Sequence, residues 1–473
     1  MAQAQTPEHY DCLAIGSGEA GKLVPWILSG KHGQRCAVIE RRWIGGSCPN
    51  IACLPSKTLL HSAAVTHDAR AHGHAPASHK ADMKAVRQRT ADLVARVNGF
   101  RGAFEAYGVE LIEGDAKFDG PRLVRVTAPD GGSRLLTADT IVICTGSRAF
   151  VDERIPGLIK SKPLTHIEAL DLDALPDHLI VLGGGYVGLE FAQAFRRFGT
   201  EVTVVQRRGQ ILPEEDSDLV EILARSLIRE GVRILTSTEV ASVRGVSGEA
   251  VTVSLRSTDA SAPADLHGSH ILVAAGRIPN TADLNAAAAG VELQSSGHIV
   301  VDAQLRTTAP GIYAAGDCAG SPHFTHMGWD DHRVIIGAVT GSEREGGTAG
   351  RLVPRALFTS PELARVGLGE REAQAKGIKY RLAKAGAADA FLRANTLGDE
   401  VAGTVLAKLL VEEESDKILG FVAVGPGVSE LLPVVTLAMK LGASYLEIED
   451  LIITHPTMNE GLVALAQQVP PRA

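Results

Sequence analysis

Two stretches of this chain share one pattern of apolar and polar positions. The first, Asp11–Glu40, opens with a short apolar strand that runs into the turn Gly16-x-Gly18-x-x-Gly21. A helix is predicted after this turn, and a second apolar strand ends at Glu40. The order of strand, glycine-rich turn, helix and strand is typical of the start of a βαβ unit.

The second stretch, Leu179–Arg208, repeats that order around another glycine-rich turn, Gly183-x-Gly185-x-x-Gly188. Gly199 stands where a glycine is expected just after a helix ends. The predicted helix carries large apolar side chains on roughly one face. These side chains are Val187, Phe191, Phe195 and Phe198.

Both turns have the glycines that a dinucleotide requires. The first glycine makes the tight turn, the second lets a pyrophosphate approach the backbone, and the third allows close contact between helix and strand. The phosphates then meet the N-terminus of the helix. One such turn is weak evidence, but two turns in the same strand–helix context predict that the protein binds two dinucleotides.

The two stretches differ where the second strand ends. Glu40 can accept hydrogen bonds from ribose hydroxyls, whereas Gln206 stands at the corresponding place in the second stretch. Arg207 and Arg208 follow it, and arginine attracts a 2′-phosphate that an acid would repel. The first site therefore suits FAD and the second suits NADPH, with NADH less favoured. A solvated strand end is the alternative interpretation of the two arginines.

The pattern changes after Gly346. The segments VPRALFTSPELARVGLGE and AKLLVEEESDKILGFVAVGPG alternate and turn like antiparallel strands. A helix is predicted from about Glu430 to Leu441. We therefore predict an α/β protein with two Rossmann-like dinucleotide-binding domains and a C-terminal α+β domain.

Composition narrows the class of protein without identifying a substrate. Apolar residues make up 45% and charged residues 22% of the 473 residues, as in an ordinary globular protein. The net charge of -8 argues against a nucleic-acid or anionic-membrane partner. The start MAQAQTPEHYD lacks the features of a secretory signal, and LLPVVTLAMKLGA is too short to span a bilayer. We expect a cytoplasmic protein.

Cys48 and Cys53 lie close together in the segment GGSCPNIACLPSK. A zinc site normally needs four ligands, and the sequence has no second cysteine pair, so we do not expect a metal site. In a reducing compartment a disulfide here would be redox-active, although a purely structural reduced pair is the alternative. The other four cysteines are predicted to be reduced core thiols: Cys12, Cys36, Cys144 and Cys318.

Helix geometry bears on this pair. Residues five apart in a regular helix are too distant, and on different faces, for a disulfide. Pro49 suits the first helical position, which would leave Cys48 at the cap, and Pro55 disfavours helical geometry at Leu54. We therefore expect an irregular helix start that could bring the two sulfurs together. The N-terminus of a helix also stabilises a thiolate.

The cysteine segment resembles the redox signature of the class I pyridine nucleotide–disulfide oxidoreductases, which include glutathione reductase, dihydrolipoamide dehydrogenase and mercuric reductase. The resemblance covers nearly the whole chain and implies an FAD-binding domain of residues 8–148 and 276–345, an NAD(P)H-binding domain of 149–275 and a dimerisation domain of 346–473. Other family motifs recur in order: TGS at 145–147, AAGRIPN at 274–280, GIYAAGDC at 311–318 and THPTMNEGL at 454–462.

This resemblance implies that hydride passes from NADPH to flavin and that electrons then pass to the cysteine pair, which reduces a small disulfide. Cys53 matches the flavin-proximal sulfur that forms a charge-transfer thiolate, and Cys48 matches the interchange sulfur that attacks the substrate. His455 matches the general acid/base, and Glu460 matches its orienting carboxylate. In the family this dyad comes from the other subunit, so a homodimer with a shared active site is implied.

Cofactor contacts are implied in the same way. Lys57 matches the lysine beside flavin N5, Glu190 its ion-pair partner, Asp317 the acid that binds the ribityl chain, and Tyr186 a residue that covers the nicotinamide pocket in some members. The predicted cofactor-binding residues are Gly16, Gly18, Gly21, Glu40, Gly46, Ser47, Lys57, Thr145, Gly146, Asp317, Gly183, Gly185, Tyr186, Gly188, Arg207, Arg208 and Gly276.

Departures from the family patterns separate the alternatives. Hg(II) reduction is disfavoured because no cysteine follows Cys318 and because His455 stands where mercuric reductases carry tyrosine. Gln206 weakens the alternative of a dihydrolipoamide dehydrogenase that uses NAD, since those enzymes usually keep an acid there. A flavoprotein sensor with little turnover is the alternative from another class. The intact cysteine pair and His455 argue against it.

Overall fold

The protein is described by a computed structural model, which covers residues 6–76 and 78–472. The chain forms two compact units. The first unit comprises residues up to 58, 87–150 and 276–351. The second unit comprises residues 59–86, 151–275 and those from 352 onward. The domain boundaries proposed from the sequence stay predictions.

Residues 6–150 contain the first glycine-rich turn. Their strands are β1 (Glu8–Ile15), β2 (Cys36–Glu40), β3 (Val109–Glu113), β4 (Asp115–Gly120), β5 (Leu123–Thr127), β6 (Ser133–Ile143) and β7 (Ser147–Ala149). Their helices are α1 (Glu19–His32), α2 (Ser47–Asn50), α3 (Cys53–Ala71), α4 (Met83–Val97) and α5 (Phe100–Ala106). The end of β2 at Glu40 confirms the predicted strand end.

Residues 151–275 contain the second turn. Their strands are β8 (His178–Leu182), β9 (Glu201–Val205), β10 (Val232–Leu235), β11 (Thr238–Val246), β12 (Ala250–Ser257), β13 (Asp265–Gly268) and β14 (His270–Val273). Their helices are α6 (His166–Leu170), α7 (Tyr186–Phe198) and α8 (Ser217–Arg229). Gly199 ends α7 in the left-handed conformation, at a φ of 112°, which confirms its predicted role.

The rest of the chain adds to both compact units. Residues 276–351 contribute β15 (Arg277–Pro279), β16 (Ile312–Ala314) and α9 (Thr325–Thr340). The later strands are β17 (Arg355–Leu357), β18 (Glu362–Gly367), β19 (Tyr380–Gly386), β20 (Leu406–Glu412) and β21 (Ile418–Gly425). The later helices are α10 (Glu370–Ala375), α11 (Asp399–Ala402), α12 (Leu432–Leu441), α13 (Tyr445–Glu449) and α14 (Gly461–Ala466).

The first unit is built on a seven-stranded sheet in which β3, β2, β1, β6 and β16 run parallel and β5 and β4 add an antiparallel edge. Both faces of its central strands are buried: Leu13 and Ile15 pack on one side, Cys12 and Ala14 on the other. This explains why β1 reads as a nearly continuous apolar run, as expected for a strand in a parallel sheet.

The second unit contains the parallel sheet that carries the second glycine-rich turn and the C-terminal sheet. The parallel sheet has the order β10-β9-β8-β14, and the C-terminal sheet is antiparallel with the order β17-β18-β21-β20-β19. The antiparallel strands confirm the alternating pattern predicted after Gly346. The predicted helix at 430–441 is confirmed from Leu432, because Val428–Leu431 form a 3₁₀ turn before it.

Two predictions about the cysteine segment are wrong in detail. Helix α2 begins at Ser47, so Cys48 lies inside its first turn and is not its cap. Helix α3 begins at Cys53, so Leu54 is helical although Pro55 follows it. Pro55 is tolerated there because the first residues of a helix have no intrahelical acceptor for their N–H groups.

Within residues 6–76 and 78–472, no helix combines the length and the apolar character needed to cross a membrane. In the same ranges, no three histidine, cysteine or acidic side chains form a group that could hold a metal ion.

Candidate active site

The two cysteines of the first unit lie on either side of a broken helix. Cys48 belongs to α2, residues 51 and 52 leave the helical path, and Cys53 opens α3. Ile51 has a φ of -141° and a ψ of 4°, so its backbone leaves the helical conformation between the two helical segments. The irregular helix start expected from the sequence is therefore confirmed. Both cysteines are free thiols that are partly exposed, and a hydrogen bond joins them.

The two thiols differ in their affinity for a proton. The hydrogen bond from Cys48 lowers the pKa of Cys53 to about 6, even though burial opposes this change. The same hydrogen bond, followed by burial, raises the pKa of Cys48 well above that of an ordinary thiol. At neutral pH Cys53 is therefore the thiolate, and Cys48 is the thiol that donates to it.

Two further groups favour the Cys53 thiolate. The hydroxyl of Thr325, the first residue of α9, lies 3.1 Å from Cys53 Sγ, and its hydrogen bond lowers the pKa of Cys53. The positive charge of Lys57, one helical turn after Cys53, lowers it as well. Lys57 was named from its motif. Thr325 was not, because it is 272 residues away in sequence and carries no spacing signal.

The first glycine-rich turn fits a dinucleotide. Gly16 has a φ of 98°, and a side chain on it would meet the carbonyl of Cys144 at 2.4 Å. A side chain on Gly21 would meet the carbonyl of Gly16 at 2.0 Å, so helix and strand touch there. A side chain on Gly18 would come no closer than 3.8 Å to any atom it faces, the carbonyl oxygen of Cys144, which leaves open the face from which a pyrophosphate would approach.

The segment before the cysteines is built onto this turn. Gly46 has a φ of 85°, and a side chain on it would lie 2.6 Å from the Cα of Gly18. Ser47, which follows, is the first residue of α2. The cysteine helix therefore starts in direct contact with the turn predicted to bind FAD.

The carboxylate of Glu40 accepts hydrogen bonds from residues close to it in the fold. Its Oε2 accepts from the backbone N–H of Ser17 at 2.9 Å and from the Ser17 hydroxyl at 2.7 Å. Its Oε1 accepts from the N–H of Arg42 at 2.9 Å and of Trp43 at 3.2 Å. The carboxylate is thus fixed at the end of β2, where it could accept hydrogen bonds from the hydroxyls of an adenosine ribose. This role stays a prediction.

Asp317, another predicted flavin residue of this unit, lies beside a half-buried arginine that the sequence did not single out, Arg277. Asp317 accepts from the hydroxyl of Ser147, and its Oδ2 lies 3.7 Å from Nε of Arg277. Arg277 donates to the Ser147 hydroxyl at 2.7 Å and to the Ser147 carbonyl at 2.9 Å. Arg277 belongs to the motif AAGRIPN, but its contacts with Ser147 and Asp317 become visible only in the folded chain.

Three more predicted residues shape the same neighbourhood through the backbone. Asn280 donates through its side chain to the Thr145 carbonyl at 3.0 Å and through its N–H to the Gly146 carbonyl at 2.9 Å. Gly146 and Gly276 have φ values of 66° and 133°, which favour glycine. These bonds tie the segment after β6 to the segment after β14.

The second glycine-rich turn, in the second unit, repeats the geometry of the first. Gly183 has a φ of 114°, and a side chain on it would meet the carbonyl of Ala274 at 2.5 Å. A side chain on Gly188 would meet the carbonyl of Gly183 at 2.0 Å. A side chain on Gly185 would meet nothing within 4 Å among the described residues, its chain neighbours aside, so this turn also fits an approaching pyrophosphate.

The end of β9 carries the residues proposed to select the coenzyme. Gln206 is buried, at 7% exposure, and its amide donates to the carbonyl of Gln210 at 3.1 Å. Arg207 and Arg208 follow it and are exposed. The buried side chain at this position is therefore neutral, and the two positive charges face solvent.

Two more predicted residues lie on α7. Glu190 is buried, at 5% exposure, and its Oε1 accepts from the backbone N–H of Phe358 at 3.1 Å. Tyr186 is the first residue of the helix, and its hydroxyl donates to Glu215 Oε1 at 3.2 Å. Burial raises the pKa of Tyr186, and the charge of Glu215 raises it further. Its phenol therefore stays protonated.

His455 and Glu460 form a pair in the C-terminal part of the second unit. Nδ1 of His455 lies 2.8 Å from Oε2 of Glu460. The histidine side chain is 72% exposed and that of the glutamate is 18% exposed. A carboxylate on Nδ1 leaves Nε2 available to take or give a proton, so the pair can work as an acid/base dyad.

A broken helix that carries a thiol–thiolate pair, together with two dinucleotide-binding turns, defines a flavoprotein of the disulfide oxidoreductase class. The chain belongs to the pyridine nucleotide-disulphide oxidoreductase family: residues 10–331 match that family, and residues 353–466 match its dimerisation domain. The family binds FAD and uses a pyridine nucleotide, and the dimerisation domain supports a homodimer. The predicted family and fold class are thus confirmed.

Relatives span nearly the whole chain. Dihydrolipoyl dehydrogenase 1, mitochondrial, of Arabidopsis thaliana is 33% identical, with 96% of this chain and 89% of the relative covered. The probable pyridine nucleotide-disulfide oxidoreductase RclA of Escherichia coli K12 is 33% identical, with 96% of this chain and 98% of the relative covered. The solved structure of the HOCl-induced flavoprotein disulfide reductase RclA has a TM-score of 0.86 at 32% identity, covering 98% of this chain and 100% of that one.

Proposed function

We propose that this protein is an NADPH-dependent reductase of a small disulfide, in which Cys48 and Cys53 form the redox-active pair. The observation that carries the proposal is the geometry of the pair: Cys48 in α2 and Cys53 at the start of α3 lie on either side of a break in the helix, which begins against the first glycine-rich turn. The lowered pKa of Cys53 agrees with this arrangement. Exchange with a substrate disulfide needs one thiol that attacks and one that resolves, and the two thiols are already distinguished.

The exchange itself uses groups of this chain. Cys48 loses its proton to His455 and attacks one sulfur of the substrate, which forms a mixed disulfide and releases the first thiolate. His455 returns the proton to that leaving thiolate, while Glu460 holds the imidazole. The Cys53 thiolate then attacks the sulfur of Cys48, which closes the Cys48–Cys53 disulfide and releases the second half of the substrate as a thiolate that takes a proton from solvent.

Bound FAD would supply the two-electron relay from the nicotinamide to the cysteine pair. The balanced reaction is NADPH, one proton and one disulfide giving NADP⁺ and two thiols. Lys57 and Glu190 are proposed to act at the flavin, with Lys57 also favouring the Cys53 thiolate. The dyad of His455 and Glu460 is proposed to serve the cysteine pair of the other subunit in a homodimer.

NADPH is favoured over NADH by the end of β9. A buried neutral Gln206 places no negative charge against a 2′-phosphate, and exposed Arg207 and Arg208 can bind it. We expect Arg207→Ala to raise KM for NADPH about tenfold while KM for NADH stays unchanged, because only NADPH carries the phosphate. Arg233→Ala, an exposed arginine on β10, is the matched control.

The test of the proposal is an anaerobic titration with NADPH, followed by turnover with a panel of disulfides. Cys48→Ser should keep the long-wavelength absorption of a thiolate beside flavin yet lose turnover, and Cys53→Ser should lose that absorption. Turnover of a disulfide by Cys48→Ser at the rate of the unmodified protein would refute the assignment.

A dihydrolipoamide dehydrogenase is the second candidate, because relatives with that name are 33% identical over nearly the whole chain. It predicts fast reduction of NAD⁺ by dihydrolipoamide. A Cu(II) complex is described for the RclA structure of E. coli, so Cu(II) belongs in the same panel of acceptors. NADPH oxidation that depends on Cu(II) and not on any disulfide would favour metal-ion reduction instead.

A further inference from the structure

Asp331 is a fully buried carboxylate in the middle of α9. Its Oδ2 accepts from the backbone N–H of Gly316 and from the hydroxyl of Ser321, each at 2.7 Å. Its Oδ1 accepts from Nη1 of Arg351 at 2.5 Å. Both oxygens are therefore bound, and the guanidinium compensates the charge of a carboxylate that has no contact with water.

The two groups that bind Oδ2 stand at the ends of one turn. Residues Gly316–Ala319 form a 3₁₀ turn, and the N–H of Ser321 donates back to the carbonyl of Gly316 at 3.3 Å. Arg351 also donates to the hydroxyl of Ser321 at 3.2 Å. The carboxylate of Asp331 thus fastens both ends of this turn to α9.

Helix α9 begins four residues after Ser321, at the residue that contacts the cysteine pair. This residue is Thr325, whose hydroxyl lies 3.1 Å from Cys53 Sγ. The residue before it, Phe324, has no polar side chain that could cap the helix. Asp331 lies six residues after Thr325, which is about 9 Å along the helix axis. The turn and the start of α9 are therefore held from one point inside the helix.

We propose that Asp331 is a positioning residue for the cysteine pair: by fastening the turn at 316–321 to α9, it holds the hydroxyl of Thr325 at Cys53 Sγ. The inference rests on the proposed function, because it concerns the thiolate of the redox-active pair. Hydrogen bonds weaken steeply with distance and angle, so a small displacement of α9 would remove this one.

The alternative is that helix packing alone places Thr325. Helix α9 lies close to α1, and a side chain on Gly328 would come within 3.4 Å of Cβ of Glu19. If this contact were sufficient, a change at Asp331 would leave the surroundings of Cys53 unaltered.

The sign of the effect separates positioning from simple electrostatics. Loss of a negative charge, by itself, would favour the Cys53 thiolate and lower its pKa. Loss of the Thr325 hydrogen bond would raise that pKa, because this bond lowers it. The charged side chains near Cys53, Lys57 and Arg277, would be present in either case.

The test is the pH dependence of Cys53 alkylation in a Cys48→Ser background, in which the other thiols are buried. Asp331→Asn keeps the shape, but its amide must turn N–H groups toward donors on one side. It should raise the pKa of Cys53 by up to about one unit, the effect expected for loss of the Thr325 bond. In a double variant it should add nothing to Thr325→Val, because both changes remove the same bond.

Asp330→Asn is the matched control, because it removes the same charge one residue away. The carboxylate of Asp330 binds Arg344 at 2.8 and 2.9 Å and Arg351 at 3.3 Å, and not the turn. Asp330→Asn should therefore not raise the pKa of Cys53. Ser321→Ala removes one donor to Asp331 and should give a smaller rise, so it decides the matter if Asp331→Asn does not fold.

Three results would overturn the proposal: an unchanged or lowered pKa of Cys53 in Asp331→Asn, a further rise in the double variant, or an equal rise in Asp330→Asn. Each of these would leave the proposed function intact. An ordinary thiol pKa of about 9 for Cys53 before any change to α9 would instead refute the proposed thiolate, and this inference with it.

Discussion

At the scale of single residues, the chemistry proposed for the cysteine pair depends on which of the two sulfurs holds the proton. Cys48 and Cys53 are the same residue type five positions apart, yet the pKa of one is raised and that of the other is lowered to about 6. The difference arises because Cys53 receives hydrogen bonds from Cys48 and Thr325 and lies near the charge of Lys57. Its thiolate persists above about pH 6 and is lost as the pH falls below that value.

Thr325→Val tests the contribution of the hydroxyl to this thiolate. Valine keeps the shape but removes the donor 3.1 Å from Cys53 Sγ, so the pKa of Cys53 should rise toward 9.0, the value of an ordinary thiol. The expected rise is about one unit, since a hydrogen bond to a charged group contributes about 1.5–3 kcal/mol in full burial and less here. The pH dependence of Cys53 alkylation in a Cys48→Ser background measures it.

Thr340→Val provides the control for that experiment. Thr340 is the last residue of the same helix, α9, and its hydroxyl donates to the carbonyl of Ile336 at 2.8 Å. It should leave the alkylation profile of Cys53 unchanged. An unchanged profile in Thr325→Val as well would show that the Thr325 hydroxyl does not stabilise the Cys53 thiolate.

The distance in sequence between contacting residues determines which parts of the site could be predicted from the sequence. Cys48, Cys53 and Lys57 occupy one short motif, and the pair of His455 and Glu460 lies within six residues, so local patterns predicted both groups. Thr325 acts on Cys53 across 272 positions, and such a contact arises only when α9 packs in the folded chain. Asp331 was missed for the same reason, because nothing in its own segment indicates a partner.

At the scale of elements, the glycine-rich turns were the most predictable parts of the fold. Each turn needs glycine at positions where a side chain would collide with a carbonyl, so the glycines recur at a fixed spacing that the sequence shows directly. The ends of α2 and α3 were less predictable. A proline restricts the backbone only at itself and at the residue before it. Helix α2 begins directly after Gly46, which packs against Gly18, and a contact between residues so far apart in sequence cannot be predicted from local pattern.

Gly46→Ala should therefore lower both stability and flavin binding, although it adds only one methyl group. A methyl group would lie 2.6 Å from the Cα of Gly18, and its φ of 85° is unfavourable for alanine. We expect a loss of at least about 1–3 kcal/mol in the free energy of unfolding and a reduced flavin content. Denaturant unfolding and the ratio of flavin to protein absorbance measure these effects.

Gly102→Ala is the matched control, because Gly102 lies inside α5 and nothing within 4 Å would meet its side chain. This change should preserve the flavin content and raise stability slightly, since alanine favours a helix. If Gly46→Ala behaved in the same way, the close approach of the two backbones would not be needed for the site.

At the scale of the whole molecule, the proposed function requires a second subunit to bring His455 and Glu460 to the cysteine pair. The C-terminal part of the second unit exposes several large apolar side chains, as an interface between subunits would. These are Leu437, Leu441, Leu446, Leu451 and Ile452. Ile452 is fully exposed and lies three residues before His455.

Mixing two inactive variants tests whether the site is shared. Cys48→Ser and His455→Ala should each be inactive, but a dimer of one with the other would join an intact Cys48 to an intact His455 at one of its two sites. Random reassociation should therefore restore about a quarter of the activity of the unmodified protein. The steady-state rate after joint refolding measures this. No recovery from dimers shown to be mixed would place the dyad and the cysteines in the same subunit.

The four buried cysteines, Cys12, Cys36, Cys144 and Cys318, have one practical consequence. Their sulfurs lie in the core of the first unit, with side chains at most 9% exposed, so a thiol reagent added to the folded protein reaches only the two others. The intact mass of the labelled protein would then report the oxidation state of the pair. Two added reagent groups would indicate two thiols, and none would indicate a disulfide. Unfolding the same sample exposes the remaining four thiols. Their complete labelling would show that the reagent is active, so the sample contains its own positive control.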